Sequence, residues 1–315
     1  MDELPQESGV TLVKRMRALG VPDQQLRGAA GRSGFVRIRR GAYVRRDEAE
    51  SADRDAAYRR RVVAVVGTRR SAIVLSHHSA ALLHGLPVAD GWPSEVHITE
   101  HLDTRRRTKN GVVVHRSTTP GDLVDVEGMI VTSLPRTVVD IAAVGTFVDA
   151  VCVADAALRG GVSHDELRAA VEVRPGPGRT RARRVVEFAD ALAESPLESW
   201  SRAVIEELGF PRPVLQYAVE TSRGRRRLDF AWPDLGAGAE VDGLAKYGDL
   251  AQAEGRSGLE AFRREKDREA EIRMLLRAFT RWGADEVRDR EKLRQRLLSI
   301  GLRPLPSYRP QHPAR

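Results

Sequence analysis

Three acidic residues, Asp229, Glu240 and Asp242, interrupt two short apolar runs in the segment LDFAWPDLGAGAEVDG. Strands disfavour carboxylates, because a pleated, half-buried surface favours branched and aromatic side chains. Two acid-bearing strands therefore suggest a reason for holding the acids there, and a divalent metal is the usual one. Side chains alternate along a strand, so Leu228, Phe230 and Trp232 share one face and Asp229 takes the other with Ala231. In AGAEVDG, Glu240 and Asp242 share a face, with Cα atoms roughly 6–7 Å apart. If the two strands are adjacent and antiparallel, all three acids cluster. A competing arrangement pairs Asp229 with Arg225–Arg227 and Glu240 with Lys246 on a solvated face.

The 315 residues are enough for two or three domains. A net charge of +8 favours polyanionic partners. The charge is concentrated early: Lys14 to Arg46 holds ten Lys or Arg and one acid, Asp23. The single cysteine, Cys152, excludes an intramolecular disulfide and fits a reducing cytoplasm. The start, MDELPQESGV, is too polar for a secretory signal. The most apolar stretch, Val138 to Leu158, carries Asp140, Asp149 and Asp155, so no membrane partner is expected.

The pattern predicts an α/β (α+β) chain in blocks. Residues 10–48 combine a helix at TLVKRMRAL, a short second helix after Pro22 and Asp23, and a hairpin around Arg40-Gly41, a winged helix-turn-helix arrangement. Residues 55–173 form a mixed α/β middle domain, closed by a helix whose Ser163 and Glu166 make a capping-box pattern. RPGPGRTRARR, residues 174–184, has linker composition. Residues 185–302 follow the order αβββαβ, and 303–315 form a Pro-rich disordered tail. His77, His78 and His84 do not form a convincing metal site, because His78 and His84 fall on different helix faces. Cys152 reads as core.

The segments SPLES (195–199), LDFAWP (228–233), EVDGLAKYG (240–248) and EKDRE (265–269) resemble the very-short-patch-repair-like endonuclease domains of the PD-(D/E)XK superfamily. That resemblance implies a restriction-endonuclease-like core and magnesium-dependent hydrolysis of DNA phosphodiesters. It makes Asp229 and Glu240 the metal ligands (Mg2+). Glu198 becomes an acid that orients metal-bound water, and Lys246 a partner for the scissile phosphate. Glu198 also fits a helix cap with Ser195, and Lys246 fits a plain surface residue. Asp242 stands where the superfamily's E-x-K places lysine, so either Lys246 substitutes or catalysis is weak or absent.

The hairpin FVRIRRGAYV, with LSHHSAALLHGLP and SLPRTVVDIA further on, resembles AbiEi-type antitoxins of toxin–antitoxin pairs. This implies DNA binding through Arg37, Arg39 and Arg40, with Gly41 and Tyr43 in the turn region. It also implies a cognate toxin as partner. The alternative to an endonuclease is an antitoxin-like transcriptional repressor with an inactive nuclease fold.

Overall fold

The computed structural model describes residues 9–22, 34–100, 107–116, 122–174, 176–221, 224–242 and 271–306. The protein is α+β, and its chain divides into two compact units, Met1–Gly145 with Val162–Glu187 and Thr146–Gly161 with Phe188–Arg315. This division crosses the block boundaries expected from composition.

The first unit begins with a three-stranded sheet of order β1-β3-β2, made of β1 (Thr11–Leu12), β2 (Phe35–Arg39) and β3 (Ala42–Arg45). β2 and β3 form the expected hairpin, and Gly41 supplies the left-handed backbone of its turn at φ 85°. The register shifts between Arg37 and Arg39, a bulge that sets Ile38 against Val10, Leu12 and Ala42. The first helix is shorter than its spacing predicts: it spans Val13–Ala18 and buries Met16, Leu12 lies in β1, and Leu19 is exposed. The expected second helix falls on residues outside those described, apart from Pro22. Helix Arg54–Thr68 is capped by Asp53, which accepts from the Ala56 amide at 2.7 Å. Its Gly67 leaves room for Leu12, whose Cδ1 would lie 2.2 Å from an added Cβ.

A six-stranded mixed sheet follows, of order β6-β7-β5-β4-β9-β8. Its strands are β4 (Val74–Leu75), β5 (Val96–Glu100), β6 (Arg107–Lys109), β7 (Val112–Arg116), β8 (Leu123–Val126) and β9 (Met129–Thr132). β5 and β7 run parallel. Val96, Ile98, Val112 and Val114 alternate onto one face and pack with Tyr58, Val62 and Leu75. Each such buried side chain stabilises by about 1.5–3 kcal/mol. The predicted capping box of Ser163 and Glu166 opens helix His164–Val173. Of the residues read as linker, 179–184 are helical, in a helix that runs from Arg179 to Phe188, and Ala182 is buried.

The second unit contains helix Phe147–Arg159, with Cys152 buried as expected. Helix Pro196–Glu207 follows, then β10 (Val214–Thr221), β11 (Gly224–Trp232) and β12 (Ala237–Asp242). Residues 271–275 are helical, and β13 (Ala278–Gly283) completes the sheet in the order β10-β11-β12-β13. β10, β11 and β12 pair antiparallel in turn, and β13 joins β12 parallel. Phe230 and Trp282 stack at 5.6 Å, and the Trp282 indole donates to Ser201 at 2.9 Å. Among the described residues no helix is long and apolar enough to cross a membrane.

Candidate functional site

β11 and β12 are adjacent and antiparallel, with Phe230 opposite Ala239 and Ala231 opposite Gly238. One further step in that register sets Asp229 opposite Glu240, on one face of the sheet. The Val241 amide donates to Asp229 Oδ2 at 2.8 Å, which fixes one carboxylate oxygen against β12. Glu240 is 2% exposed. Asp242 is not a third bare acid, because Arg281 on β13 donates to its Oδ1 at 2.7 Å. The same Nη2 lies 3.4 Å from Glu240 Oε2. Arg281 is thus a charge partner of Glu240. Of the arginines upstream of Asp229, Arg226 reaches Glu271 and Arg227 reaches Glu194.

Glu198 is buried at the start of helix Pro196–Glu207. Its Oε1 accepts from Ser195 at 2.8 Å, and its Oε2 accepts from the Glu194 amide at 3.0 Å and from Gln216 at 2.8 Å. This capping set reaches back one residue further than a standard capping box. Burial raises the Glu198 pKa, the three donors lower it, and the nearby charge of Asp229 raises it again. Glu198 therefore caps its helix and lies within electrostatic reach of Asp229. The donor set is all oxygen, which fits a hard cation such as magnesium. Lys246, and the EKDRE segment at 265–269, lie outside the described residues.

On the hairpin of the first unit, Arg37 and Arg40 are exposed and Arg39 is half-buried. Burial and then the neighbouring charge of Arg69 lower the Arg39 pKa, so two guanidinium groups lie close together there. Arg69 is itself paired with Glu100 at 3.3 Å.

A second group of metal-competent side chains lies in the first unit, where no sequence spacing marks it. His97 on β5 pairs in register with Val113, and Thr99 with His115 on β7. Alternation therefore places His97, Thr99 and His115 on one face, opposite the apolar face of the same strands. His77 opens helix His77–Leu83 and joins them. Burial, then His115, His97, His78 and Arg174, hold the His77 imidazole well below its usual pKa and keep it neutral. Of the histidines considered from sequence, His84 bonds instead to the Thr132 carbonyl at 2.8 Å.

No family model matches the chain. It is 33% identical over 178 residues to the uncharacterised proteins Rv2248 and MT2308 of two Mycobacterium tuberculosis strains. That stretch covers 55% of this chain and 65% of each relative, so the chain spans just under two thirds of their length. The crystal structure of the RV2827C protein of M. tuberculosis aligns at 18% identity with a TM-score of 0.37, covering 56% of this chain and 71% of that one.

Proposed function

We propose that this protein is a DNA-binding, magnesium-dependent endonuclease, with Asp229 and Glu240 as metal ligands. The observation that carries this reading is the cross-strand placement of Asp229 and Glu240, with Glu198 in electrostatic reach. A bound magnesium ion supplies charge stabilisation on the phosphate and lowers the pKa of an attacking water. The chain's own contribution is positional. The Val241 amide orients Asp229, β13 holds Glu240 in place, and Glu198 orients water from the helix end. Lys246 offsets phosphate charge, a role assigned from sequence. The hairpin residues Arg37, Arg39 and Arg40 contact the DNA backbone. The cytoplasm suits a chain whose one cysteine is buried and unpaired.

The test is cleavage of supercoiled plasmid by the purified chain with magnesium. Asp229→Asn and Glu240→Gln should each lose at least about a hundredfold in rate. Cleavage at the wild-type rate in both variants refutes the assignment. Changing Arg37, Arg39 and Arg40 to Ala should weaken duplex binding and reduce the salt slope by up to about 3.

One observation favours a second reading. Arg281 already neutralises Asp242 and approaches Glu240, where the superfamily pattern has lysine at 242. In that reading the protein is an antitoxin-like repressor with a nuclease fold that does not turn over, and its protein partner is a cognate toxin. It predicts sequence-selective DNA binding with no magnesium-dependent cleavage.

A further inference from the structure

We propose that His77, His97 and His115 form a binding site for a divalent transition-metal ion of the zinc class, separate from the carboxylate cluster. All three are buried, at 3%, 8% and 7% exposure, and one donor nitrogen from each lies within 4.8 Å of the others. His97 Nδ1 and His115 Nε2 stand 2.9 Å apart and share a hydrogen bond. Two imidazole nitrogens on a tetrahedral zinc ion, each at about 2.0–2.1 Å, stand roughly 3.4 Å apart. The pair opens by about half an ångström to admit the ion in place of the shared proton. The His77 ring lies over His115 with centroids 3.5 Å apart.

The surroundings hold this geometry. His77 Nδ1 is 3.0 Å from Ser76 Oγ, which leaves Nε2 as its donor toward the ion. The Ser76 amide donates to the His97 carbonyl at 3.1 Å, and the His97 amide donates to Ser79 Oγ at 2.8 Å. These bonds pin the helix start to β5. His77 keeps a left-handed backbone, φ 51°, a conformation uncommon outside glycine that histidine adopts more readily than most side chains. The nearby Arg174 is countered by Asp140 at 3.4 Å. Three imidazole ligands suit zinc, cobalt, nickel or copper and do not suit magnesium or calcium. Three protein ligands leave a fourth position for water, the arrangement of an open zinc site.

The test uses the untagged full-length chain, stripped with a chelator and titrated with zinc, then with cobalt as an optical probe. One equivalent of zinc should bind, and cobalt should give the visible band of a four-coordinate site. His97→Gln and His115→Gln should each weaken zinc binding by at least about a hundredfold, and Ser76→Ala by about tenfold. His84→Gln should leave it unchanged. No stoichiometric zinc, or equal affinity in the two ligand variants, overturns the proposal. If those variants do not fold, the cobalt spectrum of the wild type decides, and its absence likewise overturns the site.

Discussion

Arg281 donates to Asp242 across the parallel β12–β13 pair, with 2.7 Å between Nη2 and Oδ1. The same nitrogen is 3.4 Å from Glu240, so one guanidinium faces two carboxylates, one of them almost fully buried. Removing the cation from such a cluster leaves two like charges uncompensated in a poorly solvated place. Arg281→Met should destabilise the second unit by about 2–4 kcal/mol in urea denaturation. Millimolar magnesium should restore part of that loss by binding the acids left without their cation. A variant that magnesium does not stabilise would count against Glu240 as a ligand.

Asp155 and Arg202 form a fully buried pair in the second unit. Arg202 Nη1 lies 2.9 and 2.8 Å from the two carboxylate oxygens, and the Asp190 amide donates to Oδ1 at 2.8 Å. Burial raises the Asp155 pKa, while Arg202 and the amide pull it down. Asp155→Leu alone should cost about 3–5 kcal/mol, because it strands a buried cation. Asp155→Leu with Arg202→Met should cost less than either change alone. Additive losses in the double-mutant cycle would show that the pair is not coupled.

Tyr58 gives the first unit an alkaline limit. Its hydroxyl donates to the Glu95 carbonyl at 2.9 Å and contacts Ser79 at the same distance. Burial raises its pKa well above the ordinary 10.0. The folded chain therefore keeps a proton that the unfolded chain loses. This stabilisation is complete below about pH 10 and falls as pH rises further, by at most about 1.4 kcal/mol per unit. Tyr58→Phe should flatten that limb and cost about 1–2 kcal/mol at neutral pH. An unchanged alkaline slope in the variant would refute the assignment.

Gly178 sits where composition suggested a linker, yet it packs tightly. Its φ is +93°, and an added Cβ would lie 2.5 Å from the Ala143 carbonyl oxygen. Gly178→Ala should lower stability by about 2 kcal/mol or more, read as a drop in Tm. A neutral result would mean that this segment separates from helix Leu134–Val144 at little cost.

The acid pair was legible because alternation is a property of a few consecutive residues, while the adjacency of the two strands stood as a condition that β11 and β12 meet. The order helix, three strands, helix, strand was readable for the same reason. The histidine cluster was not, since parallel strands bring His97 and His115 together through sheet register, and no local spacing encodes register. The linker reading missed the helix in its second half because Pro, Gly and Arg describe local chain preference, whereas Ala182, with Val185 and Val186 just beyond the segment, supplies a buried stripe. The β8–β9 hairpin escaped notice because its turn is Glu127-Gly128, with φ 55° and 76°. The usual first residue of such a turn is Asn or Asp. Lys246 falls on residues that the structure does not describe.

The parallel junction of β12 and β13 has a consequence for the growing chain. A parallel pair cannot be closed by a tight turn, and residues 243–277 separate these strands. Until Ala278–Gly283 is synthesised, β12 is the bare edge of the sheet. Bare edges recruit other strands, and charges on them oppose that association. Glu240 and Asp242, still without Arg281, are two like charges on that edge. Glu240, a proposed ligand, and Asp242 thus also guard the unfinished sheet against aggregation, and neutralising both should lower soluble yield even where the finished fold tolerates the change.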